Sequence, residues 1–386
     1  MITTLAVHGY RSLRDVVLPL GPLTVITGAN GVGKSNLYRA FHLLADTAAG
    51  RFIGSIAAAG GLTSVLWAGP ETISGAMRRG EQPIQGSARR VAPVSLQLGF
   101  NTQQFGYLID VGLPVAGRTI FLRDPLIKRE LIWAGPVLRP AATLLERTAR
   151  GVRVATESDR ADIELSLTPW SSVLDELVDP INRPELAAVR DVVRGWRFYD
   201  SFRVDPDAQV RQPQIGTRTE VLASDGSDLA PAVATIGESA WEEPFSAAIA
   251  DALDGTRVTV AERGGRFDLE FHQRGVLRPL STNEVSDGTL RYLLLAAALF
   301  SPRPPGLMVL NEPETSLHPE VLPALARLMV QAAERTQLVV VSHSTALVVA
   351  LTDTGAVQHE LVKPFGETAV RDQGLISRPT WRWGSR

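Results

Sequence analysis

The stretch Gly28-Ala29-Asn30-Gly31-Val32-Gly33-Lys34-Ser35 constrains this chain more than any other, because it commits backbone shape and chemistry together. It satisfies the phosphate-loop pattern G-x-x-x-x-G-K-[ST] in full. Glycines let successive N–H groups turn inward on phosphate oxygens, the lysine reaches the β- and γ-phosphates, and the hydroxyl ligates Mg²⁺. The flanks agree with that reading. Leu23-Thr24-Val25-Ile26-Thr27 reads as a buried strand, and the run from Asn36 to Leu44 has apolar residues at helical spacing. A helix start placed there adds its partial positive charge to the phosphate site. The bland alternative is a glycine-rich turn that only joins strand to helix. Strand, loop, lysine, hydroxyl and helix in order favour a nucleoside triphosphate.

Composition narrows the rest. A chain of 386 residues holds one large domain with a lobe, or two domains. Cysteine is absent, which excludes disulfides and thiolate metal sites and fits a reducing cytoplasm. The start, Met1 to His8, lacks a basic segment and a cleavage site, so no signal peptide is expected. The longest apolar run, Tyr292 to Phe300, is too short to span a bilayer, and no membrane association is expected. Lysine occurs only at 34, 128 and 363, against 36 arginines, which singles out Lys34. A formal net charge of −2 speaks against a wholly basic nucleic-acid binder but leaves room for a local patch. Arg78-Arg79, Arg89-Arg90, Lys128-Arg129 and the series Arg147, Arg150, Arg153 are candidates, each read first as a solvated face.

Along the chain, strand patterns cover Ile2 to Val7 and Val16 to Leu18, with a turn at His8 to Leu13. Gly50 to Gly69 reads as a small, glycine-rich surface excursion. Alternating runs at Val94–Phe100, Tyr107–Val111 and Thr119–Leu122 predict an antiparallel sheet. Helical spacing covers Leu174–Trp196 and Leu229–Leu253, with an irregular stretch between them. Thr256–Glu262 and Phe267–His272 predict a hairpin around Gly264-Gly265. The short apolar runs Leu307–Leu310 and Leu338–Val341, separated by a helical Pro319–Arg335, predict parallel strands covered on both faces. The expected division is 1–92 (first part of the nucleotide domain), 93–135 (antiparallel β-subdomain), 136–255 (mainly helical inserted lobe) and 256–386 (second part).

Three further segments bear on the chemistry. In Leu307-Met308-Val309-Leu310-Asn311-Glu312-Pro313-Glu314 an apolar strand ends in acidic residues, as hydrolysis at a phosphate loop requires. Glu312 is the candidate general base, although Glu312 and Glu314 could instead cap the following helix. In Leu338-Val339-Val340-Val341-Ser342-His343-Ser344, a histidine just past a buried strand would reach the crevice where α/β sheets bind ligands. It could donate to the γ-phosphate, or be an ordinary strand-end histidine. In Ser286-Asp287-Gly288-Thr289, running into a long apolar helix, Ser286 is a natural cap and makes a second anion-binding helix start. That start either serves a partner's nucleotide or only caps the helix.

Taken together, these motifs resemble ABC-type ATPase heads, and most of all the RecF-like, SMC-like and OLD-type group of stand-alone AAA/ABC ATPases. The opening Gly9-Tyr10-Arg11-Ser12-Leu13 followed by Gly28 to Asn36 is similar to the openings of that group. So are Ser286-Asp287-Gly288-Thr289 and Glu312-Pro313-Glu314-Thr315-Ser316-Leu317-His318-Pro319. The resemblance implies an α/β P-loop NTPase fold: an ABC-type head with a mixed or parallel core sheet, an antiparallel β-subdomain and an inserted helical lobe. It implies ATP and Mg²⁺ as cofactors and a head-to-tail dimer enclosing two ATP molecules. Asn30, Gly31, Gly33, Lys34, Ser35 and Asn36 of one subunit would hold each nucleotide, facing Ser286 and Gly288 of the other. Lys34, Glu312 and His343 would carry the chemistry, Ser35 and Asn311 would serve the metal, and Arg11 would lie near the nucleotide. Ser316-Leu317-His318 would lie where the subunits communicate. A Q-loop glutamine stays open among Gln85, Gln97 and Gln103. One departure stands out: Asn311 occupies the position usually held by an Mg²⁺-linked aspartate. It accepts through its amide oxygen but brings no charge, so weak Mg²⁺ dependence and slow hydrolysis are expected.

The function implied is an ATP-driven conformational switch in DNA repair, recombination or phage defence, acting with DNA or a nuclease partner. Alternatives are a slow or inactive regulatory nucleotide binder and a transporter ATPase subunit. A nuclease in its own right is disfavoured, because only 43 residues follow His343.

Overall fold

The computed structural model describes residues 1–79, 81–83, 95–114, 120–155, 160–163, 167–176, 183–374 and 377–384. In chain order the strands are β1 (Ile2–Tyr10), β2 (Leu13–Pro19), β3 (Leu23–Gly28), β4 (Leu96–Thr102), β5 (Phe105–Gly112) and β6 (Leu126–Ala134). They continue with β7 (Thr143–Thr148), β8 (Gly151–Ala155), β9 (Arg160–Ile163), β10 (Arg197–Tyr199), β11 (Gln214–Ile215) and β12 (Arg257–Arg263). The last are β13 (Arg266–His272), β14 (Leu280–Ser281), β15 (Leu307–Asn311), β16 (Gln337–Val341), β17 (Val357–Val362) and β18 (Ala369–Val370). The chain divides into two compact units. One comprises Met1–Gly21, Gly28–Gly195 and His359–Arg386, the other Pro22–Thr27 and Trp196–Gln358.

The first unit is built on an eight-stranded antiparallel sheet in the order β2-β1-β4-β5-β6-β7-β8-β9. The helix Lys34–Ala48 packs on β1 and β4, burying Leu37, Ala40, Phe41 and Leu44 at the three- and four-residue spacing of one helix face. The structure corrects several expectations here. It begins with β1 and β2 and runs on to Ile163, so strands open the stretch assigned to a helical lobe, and antiparallel pairing is not confined to 93–135. Ile120, Phe121 and Leu122 form no strand and stand exposed; Leu126–Ala134 takes the place in the sheet. The Gly50–Gly69 stretch is packed: it folds into the short helices Phe52–Ala58 and Leu62–Val65, with Phe52, Ile56, Leu62, Val65 and Trp67 buried. Val94, Thr119, Gln85 and Arg89-Arg90 lie outside the described residues.

Arg147 is not a solvated charge either. It is buried and pairs with Glu130 at 2.8 Å, while Glu130 also accepts from Tyr107 Oη (2.7 Å), Ser172 Oγ (2.6 Å) and Val173 N (3.1 Å). Burial, and then the Glu130 charge, push the Tyr107 phenol well above its usual value, which keeps it a proton donor. Such a network holds together because each buried charge is matched by hydrogen bonds.

In the second unit β10, β15, β16 and β3 lie side by side in that order, all parallel. Their registers (Tyr199 with Leu310, Asn311 with Val341, Val341 with Ile26) bring the C-terminal ends to one edge. From that edge β3 continues covalently into the phosphate loop. β15 and β16 are buried on both faces as far as Leu310 and Val341. β10 falls in the stretch expected to be irregular. Packed around the sheet are the helices Leu229–Gly237, Glu242–Ala252, Leu322–Ala333 and Asp287–Leu299, the last buried almost all round. The predicted hairpin forms as β12 and β13, joined by β11 and β14.

Candidate functional site

The phosphate loop closes on itself in a way its sequence dictates. Gly33 has φ 116 and directly precedes the helix Lys34–Ala48. A side chain there would be strained and would collide with Thr368 Oγ1. Thr368 Oγ1 donates to Val32 O at 2.6 Å and sits 2.7 Å from Ser12 Oγ, which in turn accepts from Asn36 Nδ2 at 2.9 Å. Lys34 is buried, its Nζ donating to Gly28 O (2.6 Å) and Ala29 O (3.1 Å). An ammonium carries three donors, so one is left for an anion. Asn30, Gly31 and Ser35 are exposed. Lys363, which sequence reasoning did not single out, donates to Gly31 O at 3.1 Å. Two of the chain's three lysines therefore sit on this loop; their scarcity was the signal available. Arg11, at φ 47, has a buried Nε without a partner and lines a cavity of about 350 Å³ with Tyr10, Arg39, His42 and Asp46.

In the second unit, Ser286 caps the helix Asp287–Leu299, its Oγ accepting from Thr289 N at 3.2 Å, and it is exposed. Gly288 lies against the Ser316 carbonyl: a Cβ there would stand 3.0 Å from Ser316 O. The signature start and the Ser316-Leu317-His318 segment are thus neighbours. Two arginines hold this start in place. Arg211, buried, bonds the carbonyls of Val204, Thr282 and Val285 and reaches Asp287 Oδ1 at 2.6 Å. Arg278 clamps Glu284, whose carboxyl is lowered to about 2 by Arg278 first and by Ser281 after it.

At the strand ends the two glutamates divide. Glu314 is buried, and its Oε1 accepts from Ser342 Oγ (2.6 Å), His343 N (2.9 Å) and Ser344 N (3.1 Å). It caps the turn ahead of the helix Thr345–Thr352, not the helix that follows it in sequence. Glu312 has φ 49, a left-handed turn rare outside glycine, and its half-exposed side chain lies 3.6 Å from His343 Nδ1. His343 is itself exposed and lies 3.5 Å from Glu314. Asn311 donates from Nδ2 to Asp200 Oδ1 at 2.6 Å; Asp200 was not among the sequence candidates. Of the glutamines, Gln97 is spent on Asp110 at 2.9 Å and Gln103 is exposed.

The family described as "AAA domain, putative AbiEii toxin, Type IV TA system" matches residues 23–350. The OLD nuclease of Thermus scotoductus is 50% identical over 44 residues, which take in 11% of this chain and only 8% of that protein. Among solved structures, the SMC head domain from Thermotoga maritima is similar at 14% identity, covering 97% of this chain and 99% of that one with a TM-score of 0.49. The Smc head domain with an extended coiled coil bound to the C-terminal domain of ScpA, derived from Pyrococcus furiosus, is similar at 13% identity, with 96% and 95% covered and a TM-score of 0.47. No helix among the described residues is long and apolar enough to cross a membrane.

Proposed function

The chain belongs to this AAA-domain family, and on that premise we propose that it binds ATP with Mg²⁺ and hydrolyses it slowly. Asn30, Gly31, Gly33, Lys34, Ser35 and Asn36 cradle the phosphates, with Arg11 nearby. Glu312 orients and deprotonates the attacking water, and His343 contacts the γ-phosphate. One observation carries the reading: every donor around Glu314 is engaged with a single oxygen, while Glu312 stays half-exposed beside His343. A base must be free to meet a water, and of these two glutamates Glu312 is the one that is.

The residues present suit Mg²⁺. Asn311 Oδ1 is buried and has no hydrogen-bond partner, an orphaned hard acceptor of the kind that takes a metal-bound water. No group of three or more His, Cys, Asp or Glu among the described residues could cage a metal. Mg²⁺ tolerates that, since it keeps waters and takes substrate phosphate oxygens. Ser35 and Asn311 are the residues we assign to it. When bound, the ion neutralises charge on the β- and γ-phosphates.

We assign the exposed Ser286 and the partly buried Gly288 to a second copy's nucleotide, giving an ATP-dependent head-to-tail homodimer. It would act as a cytoplasmic switch in DNA repair, recombination or phage defence with DNA or a nuclease partner. Asn311 supports a second reading, a regulatory binder with negligible turnover. The test is ATP hydrolysis by the wild-type chain and Glu312→Gln, with and without single- and double-stranded DNA, alongside light scattering with ATP. We expect Glu312→Gln to bind ATP, accumulate as a dimer and lose at least about a hundredfold in rate. Stimulation by DNA supports the switch, and ATP-dependent dimers without turnover support the regulatory binder. A wild-type chain that stays monomeric with ATP overturns the dimer, and undiminished hydrolysis by Glu312→Gln removes the base.

A further inference from the structure

Asn311 can turn either its oxygen or its NH₂ toward a ligand. The structure settles which. Tyr199 pairs with Leu310 across β10 and β15, so Asp200, the next residue, comes beside Asn311. The Asn311 Nδ2 donates to Asp200 Oδ1 at 2.6 Å. A carboxylate only accepts, so it claims the NH₂ side and leaves Oδ1 as the free acceptor, buried and without a partner. The two strands are already joined by main-chain pairing, so this side-chain bond is not needed to hold the sheet.

We propose that Asp200 is the positioning residue of the Mg²⁺ site. From the neighbouring strand it orients the Asn311 amide so that its oxygen serves a metal-bound water, and it restores beside Asn311 the negative charge that the amide lacks. The carboxylate absent from the end of β15 has been moved one strand across. This rests on the ATP–Mg²⁺ reading above. One consequence follows for the single change: Asn311→Asp alone would place two carboxylates where one now accepts from an amide, and so would not simply restore a metal ligand.

The test uses the full chain and the variants Asp200→Asn, Asn311→Asp and the double exchange Asp200→Asn with Asn311→Asp. Mn²⁺ is titrated by electron paramagnetic resonance in the presence of a non-hydrolysable ATP analogue, and analogue affinity is measured separately without metal. Partners that orient metal ligands typically set affinity by about 10- to 100-fold. Asp200→Asn should therefore weaken Mn²⁺ binding by that factor and leave metal-free analogue binding unchanged, which also reports an intact fold. The double exchange, which returns one carboxylate and one amide to the pair, should recover most of the loss. Unchanged Mn²⁺ affinity in Asp200→Asn overturns the proposal, as does a double exchange no better than the single variant. Failure of the wild-type chain to bind the analogue at all overturns instead the ATP reading on which it rests.

Discussion

Replacing Glu314 asks most directly whether the two glutamates at the strand ends have separate roles. Its Oε1 gathers three donors at 2.6, 2.9 and 3.1 Å, and the residue is 8% exposed. Hydrogen bonds to a charged group contribute about 1.5–3 kcal/mol each and do not add linearly. Removing one partner from a buried charged network costs about 3–5 kcal/mol, so Glu314→Ala should lose that much. Glu314→Gln keeps a carbonyl oxygen for the donors but drops the charge and sets an NH₂ where Oε2 has no partner. It should lose about 1–3 kcal/mol. Glu312, with a side chain 38% exposed and His343 Nδ1 3.6 Å away, should shift stability by less than about 1 kcal/mol when changed to glutamine. Urea unfolding followed by tryptophan fluorescence measures the three losses, and ATP hydrolysis is read on the same preparations. The expected order is Glu314→Ala, then Glu314→Gln, then Glu312→Gln in stability, with Glu312→Gln the most damaging to turnover relative to its stability cost. A Glu314→Ala chain within about 0.5 kcal/mol of wild type would refute the capping argument. Abolished hydrolysis in a fully stable Glu314→Gln would move the base there.

Two further outcomes follow from buried groups. Arg211→Met keeps the apolar stem but leaves Asp287 and three carbonyls without their guanidinium. It should cost about 2–4 kcal/mol and speed amide exchange at the start of the Asp287–Leu299 helix, and unchanged protection there would count against Arg211 as its anchor. Burial lowers the pKa of His359 from 6.5, against the opposing effect of the hydrogen bond that its Nε2 makes to Pro19 O at 2.7 Å. Below its ordinary value the unfolded chain binds the proton more readily, so this contribution is complete above pH 6.5 and fades as pH falls toward the folded value. His359→Gln should flatten the acid-side slope of stability measured in urea, and an identical slope in the variant would remove His359 as its source.

The residues by themselves determined what is local. The loop Gly28–Ser35, the helix after it, the cap at Ser286, the β12–β13 hairpin and the apolar strands β15 and β16 are each written in consecutive positions. Glycine placement, capping chemistry and periodicity act over a few residues, so they can be read without knowing the neighbours. Tertiary structure alone decided the rest. Trp196-Arg197-Phe198-Tyr199 is too short for its period to mark β10, and only its register beside Leu310 puts Asp200 next to Asn311. Arg147 looks like any surface arginine until sheet pairing buries it on Glu130. Glu312 and Glu314 stand two residues apart and look alike in sequence. The left-handed turn at Glu312 and the donors at 342–344 make one carboxylate a cap and leave the other free. A carboxylate's role follows from the donors brought to it from distant parts of the chain, and that pairing exists only once the strands have found their register.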